Sequence, residues 1–188
     1  MILPCIDIHT HDKSRSNAII NIYPNENIIE GIYYSVGIHP WHTLEVNSHT
    51  IEKLNNLAAH TQVVAIGETG IDALKGAPIE KQIEIFCHHV FLSEQHQKPL
   101  IIHCVKAFNE IIKLKKQLLP SMPWIIHGFR GKSQLVQQLI DKGFYISLGE
   151  HFNPKSASII PTDRLLFETD ESKLNINTII NNINIYRK

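Results

Sequence analysis

Pro99-Leu100-Ile101-Ile102-His103, an amphipathic stretch carrying Phe108, Ile111, Ile112, Leu118 and Leu119, and then Trp124-Ile125-Ile126-His127-Gly128 form the run that decides the fold. Each apolar run is short and Ile-rich, as a strand buried on both faces is, while the segment between them keeps helical spacing until Pro120 halts it. Strand, crossover helix and second strand make the parallel unit of an α/β protein. The same alternation extends outward in both directions. Strands are predicted over 5–9, 18–22, 32–37, 63–67, 99–103, 124–127, 144–148 and 165–169, with helical segments following the third to the eighth.

Ile51, Leu54 and Ala58 mark the first of these helices, and Ile79, Ile83, Phe86 and Val90 make one stripe of the next, with Pro78 suited to its first turn. Ser133 is the expected cap of the segment whose apolar face is Leu135, Val136, Leu139 and Ile140, and Gly143 its left-handed stop. Ile176, Ile179, Ile180 and Ile183 form the last. Thr10 to Asn17 and Tyr23 to Gly31 are too short for crossover helices. With 188 residues, against the ~250 of an ordinary (β/α)8 barrel, the chain is expected to be one compact α/β domain over 1–188. The expected fold is a (β/α)8 TIM barrel whose first two helices are missing or vestigial. Such a barrel would leave Ile6, Ile8, Ile20 and Ile22 bare, and that flank is a candidate homodimer or protein-partner surface.

Composition narrows the function. The chain has 18 Lys plus Arg, 18 Asp plus Glu and 43% hydrophobic residues, which excludes a disordered or collagen-like chain. No apolar run approaches the ~20 residues of a membrane span, and Met1-Ile2-Leu3-Pro4 reaches Asp7 without a basic leader, so a cytoplasmic protein is expected. Cys5, Cys87 and Cys104 show no CxxC spacing and are read as buried free thiols. A formal charge of zero means that polyanion binding needs a local patch or bound metal.

The 12 His are the anomaly. Asp7-Ile8-His9-Thr10-His11 ends a strand, and the period of two sends His9 and His11 to one side. Glu68, His103, His127 and Asp170 each lie at a predicted strand's C-terminal end, the edge on which barrel enzymes build their sites. Four His and two carboxylates can supply two divalent cations about 3.5–4 Å apart with one carboxylate shared, which predicts a binuclear hydrolase. The donor set admits Mg, Mn or Zn, with the four His leaning towards Zn or Mn.

These motifs resemble the TatD family of metal-dependent deoxyribonucleases, related to amidohydrolase barrels. The resemblance rests on D-x-H-x-H at Asp7 to His11, G-I-H-P at Gly37 to Pro40, G-E-x-G-x-D at Gly67 to Asp72, P-x-x-x-H at Pro99 to His103, H-x-F-x-G at His127 to Gly131, and E-T-D at Glu168 to Asp170. It implies that His9, His11, Glu68 and Asp170 hold one metal, that Glu68, His103 and His127 hold the other, and that Glu68 is the bridge. It also implies a DNase, cutting single-stranded DNA from the 3′ end, with Asp170 orienting or deprotonating the attacking water and His39 touching the substrate or leaving group. The family's arginine after the fifth-strand His is absent, since the chain reads His103-Cys104-Val105-Lys106, and Lys106 is its candidate substitute. Beyond E-T-D, Glu171-Ser172-Lys173 leads quickly to the last helix where the family runs on to a longer loop.

Eight basic residues, Lys13, Arg15, Lys75, Lys106, Arg130, Lys132, Lys155 and Lys173, fall in the predicted mouth loops and would make a positive rim for phosphodiesters. Lys106 and Arg130 are the expected substrate contacts. Trp41 either stacks a base or covers the barrel where a helix is missing. His49, His60, His88, His89 and His96 are expected on helix surfaces. Two other readings use the same residues: hydrolysis of a lactone, ester or amide, D-aminoacyl-tRNA deacylation included, and a non-catalytic subunit of a larger assembly.

Overall fold

A computed structural model describes residues 3–187; Met1, Ile2 and Lys188, and with the first two the start of the leader reading, lie outside it. The chain runs β1 (Asp7–Thr10), β2 (Ala18–Ile22), β3 (Tyr33–Val36), a 3-10 turn (Pro40–His42), α1 (Ser48–Ala58), β4 (Val63–Asp72), α2 (Ile79–His96), β5 (Leu100–Val105), α3 (Phe108–Leu118) and β6 (Trp124–Ile126). It continues through α4 (Ser133–Asp141), β7 (Tyr145–Leu148), α5 (Pro154–Ala157), a second 3-10 turn (Thr162–Arg164), β8 (Leu165–Phe167) and α6 (Ile176–Asn184). The eight strands close in sequence order into one barrel, every neighbour parallel and β1 beside β8. The expected fold class is the observed one.

Two apolar layers hold the barrel. Ile101 and Ile125 lie two residues before His103 and His127, so they share the inward face, and they pack with Cys5, Ile8, Ile19 and Ala65 to fill the lumen. The outward residues, Ile66, Leu100, Ile102, Trp124, Ile126 and Ile146 among them, meet the helices through Leu54, Phe86, Ile111, Val136, Leu139 and Ile179. Both strand faces are therefore dry, which is why the strands read as continuous apolar runs.

Local chemistry sets most helix ends. Asn47 caps α1 by accepting from Thr50 N at 3.0 Å, and Asn175 caps α6 by accepting from Asn177 N at 2.9 Å. Gly143 (φ 75°) stops α4 as expected, with its N–H on Ile140 O at 2.8 Å and that of Phe144 on Leu139 O at 3.1 Å. Ser133 is not the cap: Lys132 holds that position without a side-chain bond, and Ser133 is the first helical residue. After β7 the helix is a single turn, α5, capped by Asn153.

No helix stands between β1 and β2 or between β2 and β3, as expected, yet the flank is not bare. Ile8 faces the lumen, and Ile20 and Ile22 lie under a loop whose Tyr23, Ile28 and Ile32 pack on the same cluster. Of the four residues expected to be exposed, Ile6 alone is, at 45%, so among the described residues that flank lacks the apolar surface that suggested a dimer. The loops are tied by side chains instead: Arg15 donates to Ser172 O (2.7 Å) and Leu174 O (3.0 Å), Lys13 pairs with Glu26, and Glu26 accepts from Tyr23 N at 2.9 Å.

Two strands depart from the expected bounds in ways that matter for the site. β4 is ten residues long and runs through Glu68 to Asp72 rather than ending at 67. Its pairing with β5 steps from Ile66↔Leu100 to Thr69↔Ile102, one residue more on β4, and β1 gains one against β2 between Asp7 and Thr10. Such bulges re-aim side chains, and these two bracket Glu68 and His9. Close backbone approach accompanies them: a Cβ on Gly70 (φ 150°) would strike the His103 carbonyl, and one on Gly37 would lie 2.5 Å from Glu68 O. The β1–β8 seam rests on Asp7↔Phe167 and a bridge from Thr10 to Asp170. Asp7 reinforces it, its Oδ1 accepting from Thr169 N at 2.9 Å and its Oδ2 from Thr169 Oγ1 at 2.7 Å.

Candidate metal centre

Glu68 is 3% exposed and sits at the centre of the barrel mouth. Its two oxygens face different partners. Oε2 lies 3.4 Å from His9 Nε2 and 3.4 Å from His11 Nε2, and those nitrogens stand 3.8 and 3.6 Å from Asp170 Oδ1. Oε1 lies 2.7 Å from His127 Nε2, 2.8 Å from His103 Nδ1 and 3.2 Å from His39 Nε2. All six predicted ligands therefore converge, from β1, β4, β5 and the segments that follow β1, β6 and β8.

The residues fit divalent cations on two observations. First, His9 is fully buried, yet neither ring nitrogen has a hydrogen-bond partner. An unsatisfied buried polar group costs about 1–3 kcal/mol, and a cation on Nε2 would give that nitrogen a partner. Second, the 3.4–3.8 Å separations among His9, His11, Glu68 and Asp170 lie at or beyond the long end of hydrogen bonding. They match the ~3.4 Å edge of a tetrahedron built on ~2.1 Å ligand bonds. Groups able to hold an ion among the described residues are His9, His11 and Asp170; His9, Glu68 and His127; His39, Glu68 and His103; and His127, Glu168 and Asp170.

His39, the expected substrate contact, stands inside the cluster, its Nε2 3.2 Å from both His103 Nδ1 and Glu68 Oε1. Its loop is held by His89, which was expected on the surface and is fully buried. His89 Nε2 accepts from Ile38 N at 2.9 Å while Nδ1 donates to Ile85 O at 2.7 Å. That pairing requires the neutral ring, and burial pushes its pKa down to about 4.

Charges in the cluster are strongly coupled. Burial alone would raise Glu68, but His127 and hydrogen bonds from His103 and His11 hold its carboxyl well below the usual range. Burial would lower His127, yet Glu68 and Glu168 carry it well above the ordinary imidazole value. The bond to Glu68 raises His11, while burial lowers His39 despite Glu68. His127 and His11 are thus held towards their protonated forms, and a cation there would have to displace those protons.

Lys106 and Arg130 are exposed and line a cleft of about 930 Å³ with His11, His39, Glu68, His103, His127 and Asp170. Trp41 lines the same cleft, 43% exposed, so it covers no bare barrel flank. Its Nε1 donates to Asp72 Oδ2 at 2.7 Å, and Lys75 Nζ lies 3.5 Å from the ring centroid. The positive rim is narrower than expected: Lys13 and Arg15 are engaged by protein partners, and Lys75 lies on Trp41, while Lys173 joins Arg130 in an adjoining cleft. Cys5 is buried and Cys87 and Cys104 half-buried, all three free, and burial pushes the Cys104 thiol up to about 12. Two buried carboxylates beside the ligands, Asp72 and Glu168, carried no role in the sequence reading although each lies in a quoted motif.

Comparison with known proteins adds four findings. A family model described as TatD related DNase matches residues 3–175. The uncharacterized metal-dependent hydrolase YabD of Bacillus subtilis is 32% identical over 148 residues, 74% of this chain and 58% of that protein. The 3′-5′ ssDNA/RNA exonuclease TatD of Erwinia tasmaniensis is 30% identical over 147 residues, 72% of this chain and 56% of that protein, so the chain spans little more than half the length of either relative. Among solved structures, YjjV, a TatD homologue from Escherichia coli K12, superposes with a TM-score of 0.81 at 20% identity, covering 100% of this chain and 92% of that one, a likeness of fold.

Proposed function

The chain belongs to the TatD family, and from that premise we propose that it is a binuclear metal-dependent phosphodiesterase, one hydrolase domain over residues 1–188, that trims single-stranded DNA from the 3′ end. One observation carries the reading: Glu68 divides its oxygens between the His9–His11 side and the His103–His127 side. A carboxylate so placed suits a bridge between two cations, with Asp170 completing the first set. The nitrogen-rich donors favour Zn or Mn over Mg.

When bound, the cations would supply Lewis acidity and a water acidic enough to lose its proton near neutral pH. The chain's own groups supply the rest. Asp170, partly open to solvent beside His9 and His11, orients and deprotonates the nucleophile. His39, kept neutral by burial, can donate a hydrogen bond to a phosphate or departing oxygen. Lys106 and Arg130 on the cleft rim attract the phosphodiester, Lys106 following Val105, which stands where the family has arginine, and Trp41 lines the cleft where a base could stack. The nuclease names of the matching family and of the Erwinia relative favour nucleic acid over an acyl substrate. Among the described residues no helix is long and apolar enough to cross a membrane. We place the chain in the cytoplasm, where its three free thiols stay reduced.

The test is release of nucleotides from an end-labelled single-stranded oligonucleotide in Mg²⁺, Mn²⁺ or Zn²⁺, with Glu68→Ala and Asp170→Ala beside the wild type. Cation-dependent shortening from the 3′ end, lost in both variants, is expected. Cleavage that persists in both would overturn the reading.

A further inference from the structure

Two metal-facing histidines have a buried carboxylate behind them, and they use opposite ring nitrogens. His127 turns Nε2 to Glu68 and leaves Nδ1 3.3 Å from Glu168 Oε1. His103 turns Nδ1 to Glu68 and leaves Nε2 3.4 Å from Asp72 Oδ2. Glu168 is fully buried and Asp72 is 4% exposed.

Burying a carboxylate is expensive unless it is paired and hydrogen-bonded. Glu168 has little else to hold it: its second oxygen meets no partner among the described residues, and the carboxyl fits between Gly128 and Gly149, where added Cβ atoms would each come within 3.5 Å of its side chain. Asp72 is anchored more broadly. Its backbone N–H donates to Gln82 Oε1 and its carbonyl accepts from Gln82 Nε2, while its side chain accepts from Leu74 N and Trp41 Nε1. The end of β4 and the residue just after β8 thus each hold a carboxylate behind an imidazole whose other nitrogen faces Glu68. A carboxylate in that place fixes the tautomer, orients the ring and raises the basicity of the nitrogen offered to the cation.

Resting on the proposed metal-binding reading, we infer that Glu168 and Asp72 are positioning residues that set His127 to ligate through Nε2 and His103 through Nδ1. Neither carboxylate is assigned as a metal ligand. Each acts through its histidine, and Asp72, shared with Trp41, joins the aromatic wall of the cleft to the same histidine.

The test compares wild type, Glu168→Gln and Asp72→Asn, stripped of metal and titrated with Zn²⁺ against a chromophoric chelator. Both amides keep shape while removing charge, and urea unfolding checks that each variant is folded. The weaker of two wild-type zinc dissociation constants is expected to rise 10- to 100-fold in each variant. Long-range ¹⁵N–¹H spectra of the zinc-loaded wild type should show His127 bound through Nε2 and His103 through Nδ1, with tautomer mixing in the variants. Zinc constants within twofold of wild type in both folded variants, or His103 bound through Nε2, would overturn the inference while leaving the metal site intact. A wild type that binds no zinc would remove the metal reading and this inference with it.

Discussion

His89 offers the cleanest pH experiment in the molecule. Its ring is neutral because it must accept from Ile38 N and donate to Ile85 O at once, with no solvent contact. Its folded pKa is about 4, against an ordinary 6.5 in the unfolded chain. Between those values the unfolded chain binds the proton and the folded one does not. Stability is therefore complete above about pH 6.5, falls as the pH drops towards 4, and levels off below that. At about 1.36 kcal/mol per pKa unit the full loss is on the order of 3 kcal/mol, and roughly 2.5 kcal/mol of it is reached by pH 4.5. The assay is urea unfolding of chelator-treated protein, followed by circular dichroism from pH 7.5 to 4.5, for wild type and His89→Gln. Glutamine has nothing to titrate there, and the other histidines contribute equally to both proteins, so the difference isolates His89. Wild type should lose roughly 2.5 kcal/mol more than the variant across that range. Parallel curves, differing by less than about 0.5 kcal/mol, would refute the account of His89 as a neutral clamp.

Two further outcomes follow from features of the mouth. His9→Leu removes two unpartnered buried nitrogens. The metal-free variant should unfold at a urea midpoint no lower than wild type while losing the thermal stabilisation that Mn²⁺ or Zn²⁺ gives it, about 2.7 kcal/mol at a hundredfold excess over the dissociation constant. Gly70→Ala forces a methyl onto the His103 carbonyl at a φ of 150°. A loss of at least 1–3 kcal/mol is expected in the same unfolding assay, and a wild-type midpoint would contradict the close approach of β4 and β5.

Much of this was legible in the sequence because the barrel imposes period two on its strands. His103 and His127 each end an apolar run, and Ile101 and Ile125 two residues earlier share their face, so lumen and mouth could be assigned together. Bulges break that period, and this is why β4 was cut short: after Gly67 the alternation no longer tracks the neighbours, and Thr69 to Asp72 read as loop although they are strand. His89 misled for another reason. It lies on a helix, but the N–H that demands its acceptor belongs to Ile38, and such pairing over 51 residues has no local signature. The bare flank failed similarly, since Tyr23, Ile28 and Ile32, from a loop without periodicity, pack on the core cluster that holds Ile20 and Ile22. Glu168 and Asp72 stood inside recognised motifs, but their partnership with His127 and His103 appears only when separate strands meet.

The seam between β1 and β8 also dictates when the centre can exist during synthesis. His9 and His11 emerge from the ribosome early, whereas Asp170 and the Thr169 that clasps Asp7 follow some 160 residues later. Closing so long a loop costs entropy that only the finished cylinder repays. A nascent chain still lacking β8 therefore carries a scattered set of donors with no shared cavity, and competence to capture ions comes in a single late step.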